Sequence, residues 1–333
     1  MSGLHVSWWN WMAATSIQIV VVVAVVAVLE RLLARRVHPR LAAALWLVAL
    51  AKLAAPPTLE SPVSLAHLAP ADVVLVPAAP TFAAVAFWIW IAGAGLFSVL
   101  ALRRHVALRR ELLAESVEAS KSVADFVREA ARRLGLRRTP RVRDVAGLDL
   151  PCVFGYWRPV ILVPAGGANS HALLHEVAHV RRRDPLMSLP PLALQILFWF
   201  HPAAWLIRSR LATLREVACD ADVADVLGGR ASEYRKMLAD FARGRLRASI
   251  HGVTALAFGR SRLVERLEWL TPRPRGRRLA SRLGASVAAV LVLAACVPLA
   301  RSAPPTFAWP TLDQTKGCLQ RRFVVMEALS RHP

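Results

Sequence analysis

Read only for hydrophobic and polar positions, the chain alternates long uncharged runs with short arginine-dense stretches. Before Glu30 the only ionisable side chain is His5, and Ile17–Leu29 is almost wholly aliphatic. Arg31, Arg35, Arg36 and Arg40 follow at once. Roughly 20 apolar residues cross a bilayer, and Lys and Arg collect on its cytosolic side. The pattern therefore predicts a first span at about 13–32, with the N-terminus outside and Trp8, Trp9 and Trp11 at the outer interface. A second span is expected at about 41–56, with Lys52 snorkelling near its outer end. The stretch 58–80 holds Glu60 and Asp72 but no Lys or Arg, as an outside loop should. A third span, about 81–102, stops at Arg103 and Arg104. A fourth, about 283–300, follows Arg273, Arg275, Arg277, Arg278 and Arg282 and leaves 301–333 as a short outer tail.

Residues 103–282 are then a cytosolic domain, interrupted by the apolar stretch 186–207. That stretch has no Lys, Arg, Asp or Glu. A single crossing there would put the heavy basic cluster before 283 on the wrong side, and Pro190, Pro191 and Pro202 divide it. It reads as a membrane-associated insert: a hairpin, a re-entrant element, or apolar helices leaning on the bilayer. Elsewhere in the domain, 105–134 carries a helical apolar period closed by Gly135. The period then shortens to that of strands at Arg141–Val145, Pro151–Phe154 and Pro159–Val163, the last two joined by a turn at Gly155–Arg158. A helix capped by Asn169 or Ser170 follows. Further helices are expected at about 203–226, Ala231–Phe241 and 260–270. The expected fold is a mostly α membrane protein, with about four transmembrane helices and an inserted α+β domain.

Composition narrows the class. The 333 residues are 56% hydrophobic, with 43 Lys+Arg against 22 Asp+Glu and a formal charge of +21. This excludes a disordered tail or a fibrous repeat and disfavours an ordinary water-soluble enzyme. Each basic residue beside anionic lipid contributes about 1 kcal/mol of attraction. Anionic membrane lipid thus accounts for the charge, and no direct nucleic-acid binding is expected. Cys152, Cys219, Cys296 and Cys318 form no CxxC pair, so neither a thiolate metal site nor a disulfide framework is indicated.

One helix carries chemistry. His175-Glu176-Val177-Ala178-His179 is HExxH, expected by chance in about one shuffled chain in a hundred of this composition. Histidines at i and i+4 share a face and can reach one Zn2+ ion, with Glu176 beside them as general base toward a water. A third ligand is needed, and Glu216 in Arg215-Glu216-Val217-Ala218-Cys219-Asp220 is the leading candidate. Asp220, one turn on, can accept the remaining ring N–H of a liganding histidine. Asp222 and Asp225 read as surface, Cys219 as buried packing, and His171 as a first-turn surface residue or an alternative ligand. For oxyanion stabilisation, His201, Arg208, Arg215 and Tyr234 stay open. The strand Val160–Val163 precedes the metal helix and, if it lies at a sheet edge, could pair with an extended substrate.

Taken together and in order, Pro151–Pro164, Leu174–Asp184, Phe198–Trp205 and Arg215–Asp220 resemble the BlaR/MecR-type antirepressor membrane metallopeptidases, which are gluzincins. The resemblance implies that His175, His179 and Glu216 bind zinc, with Glu176 as base and Asp220 supporting a ligand. It implies an endopeptidase of the bacterial inner membrane that cleaves a cytosolic protein, such as a winged-helix repressor, in signal transduction. A housekeeping membrane protease and a non-catalytic transmembrane scaffold are the alternatives. The best-known members end in a penicillin-binding sensor domain. Residues 301–333 hold no SxxK motif, so direct beta-lactam sensing is not expected, and a separate sensor protein or a homo-oligomer is a possible partner.

Overall fold

A computed structural model describes residues 2–32, 39–54, 79–114, 116–248 and 264–270. Three helices open the chain: α1 (Ser2–Leu32), α2 (Pro39–Ala54) and α3 (Pro80–Ala114). Among the described residues two helices are long and apolar enough to cross a membrane, Gly3–Leu32 and Pro80–Ala114. The expectation of about four spans is therefore corrected. The segment expected as a second span folds as α2, with 16 residues. At 1.5 Å per residue that is about 24 Å, short of the roughly 30 Å hydrocarbon thickness. The fourth expected span, 283–300, and the tail 301–333 lie outside the described residues.

The helical period expected over 105–134 is broken once. The third helix ends at Ala114, and β1 (Val117–Glu118) intervenes before α4 (Lys121–Arg133). Gly135, at φ 73°, closes α4. The Leu136 amide reaches Ala131 O at 2.8 Å and the Gly135 amide reaches Arg132 O at 3.0 Å, a Schellman closure.

The strands are β2 (Arg141–Val145), β3 (Cys152–Phe154) and β4 (Val160–Pro164), and the sheet order is β1-β2-β4-β3. The β2–β4 pair is parallel, while β1–β2 and β3–β4 are antiparallel. Val160–Val163 therefore lies inside the sheet, not at an edge. Its composition explains why: Ile161, Leu162 and Val163 are all fully buried, and a strand covered on both faces takes an interior place. The outer strands are β1 and β3.

After the sheet come α5 (Ser170–Arg182), the short α6 (Asp184–Met187), α7 (Leu189–Leu197), α8 (Pro202–Leu227) and α9 (Ala231–Ala248), with a further helical turn at 264–269. The apolar stretch 186–207 is thus a helical hairpin. Pro190 and Pro202 stand in the first turns of α7 and α8, where a missing N–H costs nothing, so they open helices and do not break one. His201 caps α8 by accepting the Ala203 amide at 3.2 Å. The hairpin tip lies on α3: the Trp90 indole donates to Leu197 O at 2.6 Å. A Cβ added at Gly93 would sit 2.3 Å from the Trp199 ring. Only glycine admits so close an approach between helix and ring.

Two cores result. The first joins α1, α2 and the start of α8 around the fully buried Trp46, with Ile19, Val26, Leu53, Ile207 and Leu214. Trp8 and Trp9 pack on Phe82, Phe87 and Trp90 of α3, and Trp11 on Phe198. The second joins α4, β4, α5 and the end of α8 through Val127, Ile161, Val163, Leu173, Val177, Cys219 and Val223. One 26-residue helix, α8, runs through both.

Candidate metal centre

Helix α5 starts where the Asn169 side chain accepts the His171 amide at 2.8 Å, which satisfies a first-turn donor. The face it turns inward carries Leu173, Leu174, His175, Val177 and Ala178, all buried. His175 therefore enters the protein with the apolar stripe, and His179 follows one turn later. Their Nε2 atoms are 3.1 Å apart. Glu216 of α8 faces both, with Oε2 at 3.4 Å from His175 Nε2 and Oε1 at 3.5 Å from His179 Nε2.

The donor atoms of His175, His179 and Glu216 all lie within 4.8 Å of one another. Two imidazole nitrogens and one carboxylate, carried on two helices, are the donor set of a catalytic zinc site. The residues fit the ion by number, chemistry and mutual distance.

Each histidine is held from behind. His175 Nδ1 lies 3.2 Å from Asp220 Oδ1 and 3.0 Å from the Tyr234 hydroxyl, which itself donates to Asp220 Oδ1 at 2.5 Å. His179 Nδ1 lies 2.8 Å from Asp184 Oδ2. Arg183, the only non-glycine residue with positive φ among those described (56°), makes that second contact possible. Its left-handed turn ends α5 and swings Asp184 back onto the preceding helix. Cys219 donates to the same Asp184 Oδ2 at 3.1 Å. Arg266 completes the wall, with Nε at 2.7 Å and Nη2 at 2.8 Å from the Asp220 oxygens and Nη1 at 3.3 Å from Glu216 Oε2.

The electrostatics favour positive charge between these carboxylates. Burial disfavours a charged His175, but its hydrogen bonds to Asp220 and Glu216 outweigh this and raise its pKa to about 10. Burial would raise Glu216, yet the hydrogen bond from His175 and the charges of His179, His175 and Arg266 draw it down to about 2. Asp220 is likewise held well below the usual carboxylate range: the guanidinium of Arg266 and then His175 overcome its burial. Glu176 differs in kind, because burial raises its pKa. A carboxylate with raised basicity beside three donors suits proton transfer.

The structure thus brings together His175, His179, Glu216, Asp220 and Tyr234 from the residues singled out in the sequence. The other oxyanion candidates have partners of their own. His201 approaches Ser16 O at 3.3 Å, Arg208 donates to Gln195 Oε1 at 2.5 Å, and Arg215 donates to Asp184 O at 3.3 Å. The Tyr234 hydroxyl is turned to the far nitrogen of His175. His171 lies 4.0 Å from Glu233 and outside the donor set. Asp222, expected at the surface, is buried 3.5 Å from both Arg181 and Arg182, whereas Asp225 is exposed. Asp184 and Arg266 are site residues that sequence reasoning missed. Asp184 had a signal, an acidic residue just beyond the metal helix after three arginines, but Arg266 had none in spacing.

This donor set defines a zinc metallopeptidase class of site, and comparison with known proteins gives the family. The family described as BlaR1 peptidase M56 matches residues 72–270, and the chain belongs to it. It is similar to the regulatory protein BlaR1 of Bacillus licheniformis, 29% identical over 121 residues that make up 34% of this chain and 19% of that protein. It is also similar to the methicillin resistance mecR1 proteins of Staphylococcus aureus and Staphylococcus epidermidis, each 26% identical over 89 residues, or 25% of this chain and 15% of theirs. The matched segments span less than a fifth of the length of these curated relatives.

Proposed function

We propose that the chain is a membrane-bound zinc-dependent endopeptidase that cleaves a cytosolic protein, a transcriptional repressor or another regulator, in signal transduction. The observation that carries this reading is the convergence of His175, His179 and Glu216, with donor atoms within 4.8 Å of one another, next to a carboxylate of raised basicity. His175, His179 and Glu216 hold the ion. Asp220 and Tyr234 orient His175, and Asp184 orients His179. A bound Zn2+ supplies Lewis acidity toward the scissile carbonyl and lowers the pKa of water. Glu176 takes a proton from the attacking water and returns it to the departing amide nitrogen.

An outer strand gives the substrate a place. β3 packs against α5, and its far edge pairs with no strand among the described residues. Burial first, and then the charge of Glu176, raise the Cys152 thiol to about 11, so this edge lies within the field of the base. An extended peptide added there would run past Glu176. Arg31 at the end of α1, and Arg103 and Arg104 after the apolar part of α3, favour anionic lipid and a site on the cytosolic side of the bacterial inner membrane. A winged-helix repressor is the favoured substrate, with a separate sensor or a second copy of the chain as possible partners.

The test uses the full chain in detergent or nanodiscs. Metal analysis is expected to find one zinc per chain, lost in His175→Ala and Glu216→Ala. In cells, Glu176→Gln is expected to leave the regulator uncleaved when the proteome is compared with wild type. A wild-type chain that binds no zinc, or a Glu176→Gln chain that cleaves normally, would overturn the reading.

A further inference from the structure

The site is tied to the first apolar helix by a chain of alternating charges. Near the inner end of α1, Glu30 uses both carboxylate oxygens: Oε2 accepts from the Trp46 indole at 3.0 Å, and Oε1 accepts from Arg210 Nη2 at 2.6 Å. Arg210, on α8, also donates from Nη1 and Nη2 to the two oxygens of Glu265, at 2.9 Å each. The next residue after Glu265 is Arg266, which grips both Asp220 and Glu216. Glu30, Arg210 and Glu265 are 17–24% exposed at their side chains, and Asp220 is fully buried. Water therefore screens these pairs only partly. Arg210 and Asp220 are ten residues apart on one helix, about 15 Å along its axis, and the adjacent Glu265 and Arg266 of the strap 264–270 bridge them, one bound to each.

The arrangement has a direction. Arg266 lies one peptide unit from Glu265, so its position follows where Arg210 holds Glu265. Arg210 in turn has two anchors, one on the strap and one on α1. We propose that Glu30, Arg210 and Glu265 form a positioning chain through which the inner end of α1 sets Arg266, and through Arg266 the Glu216 and Asp220 carboxylates of the metal centre. The four residues are positioning residues, since none touches substrate. A displacement of α1 by about an ångström lengthens the Glu30–Arg210 contact past hydrogen-bond range, so an event at the membrane has a physical route to the ligand set. Linkage makes the coupling reciprocal: occupancy of the site also biases the end of α1.

The inference rests on the reading of His175, His179 and Glu216 as zinc ligands, and the test separates the two. Zinc affinity of the purified full chain is measured by chelator competition, together with the visible absorption of the cobalt-substituted protein, for Glu30→Gln, Glu265→Gln, Arg266→Gln and the double variants. Arg266→Gln is expected to weaken zinc about 10–100-fold, as loss of a group holding a ligand does. Glu30→Gln and Glu265→Gln are each expected to weaken it about 3–10-fold and to move the cobalt bands. In the Arg266→Gln background they should add nothing, because the route is already cut. Arg210→Lys, which keeps the charge but loses the bidentate grip, supplies a milder break should a glutamine variant fold poorly. Unchanged zinc affinity in Glu30→Gln and Arg210→Lys would overturn the proposal. So would an equal loss with and without Arg266, the signature of a network that only supports the fold. Failure of the wild-type chain to bind zinc would sink the ligand assignment instead.

Discussion

The two halves of α8 face different worlds. From Ala203 to Leu214 the helix is packed by α1 and α2, and its buried side chains are almost all apolar. From Glu216 to Asp222 it is packed by α5 and the strap 264–270, and it buries Cys219, Asp220 and Asp222 together with its apolar residues. The first half gains stability from area removed from water. The second carries polar groups that each need a partner, and it has them: Asp220 meets Arg266, Tyr234 and His175, and Asp222 meets Arg181 and Arg182. A buried carboxylate left alone would cost several kcal/mol. One rigid rod thus lends the chemical half a position fixed by the apolar half, the condition for holding ligands to a fraction of an ångström.

The sharpest break in this comparison is Glu176→Gln. It should lower cleavage by about 10²–10⁴-fold, the worth of a positioned base, while zinc content stays at the wild-type level. Peptidase assays and metal analysis on one preparation read both quantities. A loss of zinc along with cleavage would mean that Glu176 holds the site together and does not move protons.

Equal truncations in the two cores come next. Leu53→Ala, in the first core, and Leu174→Ala, beside His175 in the second, remove the same atoms from sites 1% and 5% exposed. Each should cost about 2–5 kcal/mol of stability, measured by unfolding in mixed micelles. Leu174→Ala should weaken zinc more than Leu53→Ala does, because its cavity lies one residue from His175. If Leu53→Ala weakened zinc as strongly, the two cores would be one cooperative unit.

Legibility in the sequence divides along the same line. Strands β2, β3 and β4, the capped helix and HExxH were readable because each is local: a period of two, an Asn before an apolar stripe, and a spacing of four. Their i, i+4 spacing put Glu216 and Asp220 on one helix face, and the family resemblance implied their pairing with the histidines. The single-helix reading of 105–134 failed at Ser116–Ser120, where tertiary pairing of β1 with β2 outweighed an apolar period. α2 misled for a different reason. Its apolar residues satisfy hydropathy, yet Trp46, Ala49 and Leu53 are buried against protein, and hydropathy does not tell a lipid from a helix neighbour. Arg266 was invisible because nothing local marks a residue 46 positions from its carboxylate.

Asp184→Ala sharpens the comparison at the junction itself. It removes the carboxylate at His179 Nδ1 and leaves the Cys219 thiol with only His179 Nδ1, at 3.2 Å, of the two partners it contacts. Zinc affinity should fall about 10–100-fold, with little change in global stability, because Asp184 lies outside both apolar clusters. Chelator competition beside an unfolding curve tests this. A large loss of stability with intact affinity would place Asp184 among the structural residues that end α5.

The smallest effect is expected from Tyr234→Phe. Its hydroxyl contacts both His175 Nδ1 and Asp220 Oδ1, but Asp220 keeps two hydrogen bonds from Arg266 and still faces Nδ1 at 3.2 Å. The ring keeps its place in the second core. Two hydrogen bonds, each of net worth about 0.5–1.5 kcal/mol, are lost from groups that keep other partners, so zinc should weaken only a few-fold and cleavage by a similar factor. A loss of cleavage far beyond the loss of zinc would show that the hydroxyl leaves His175 during turnover to stabilise the developing oxyanion. That would restore to Tyr234 the role which its resting hydrogen bonds argue against.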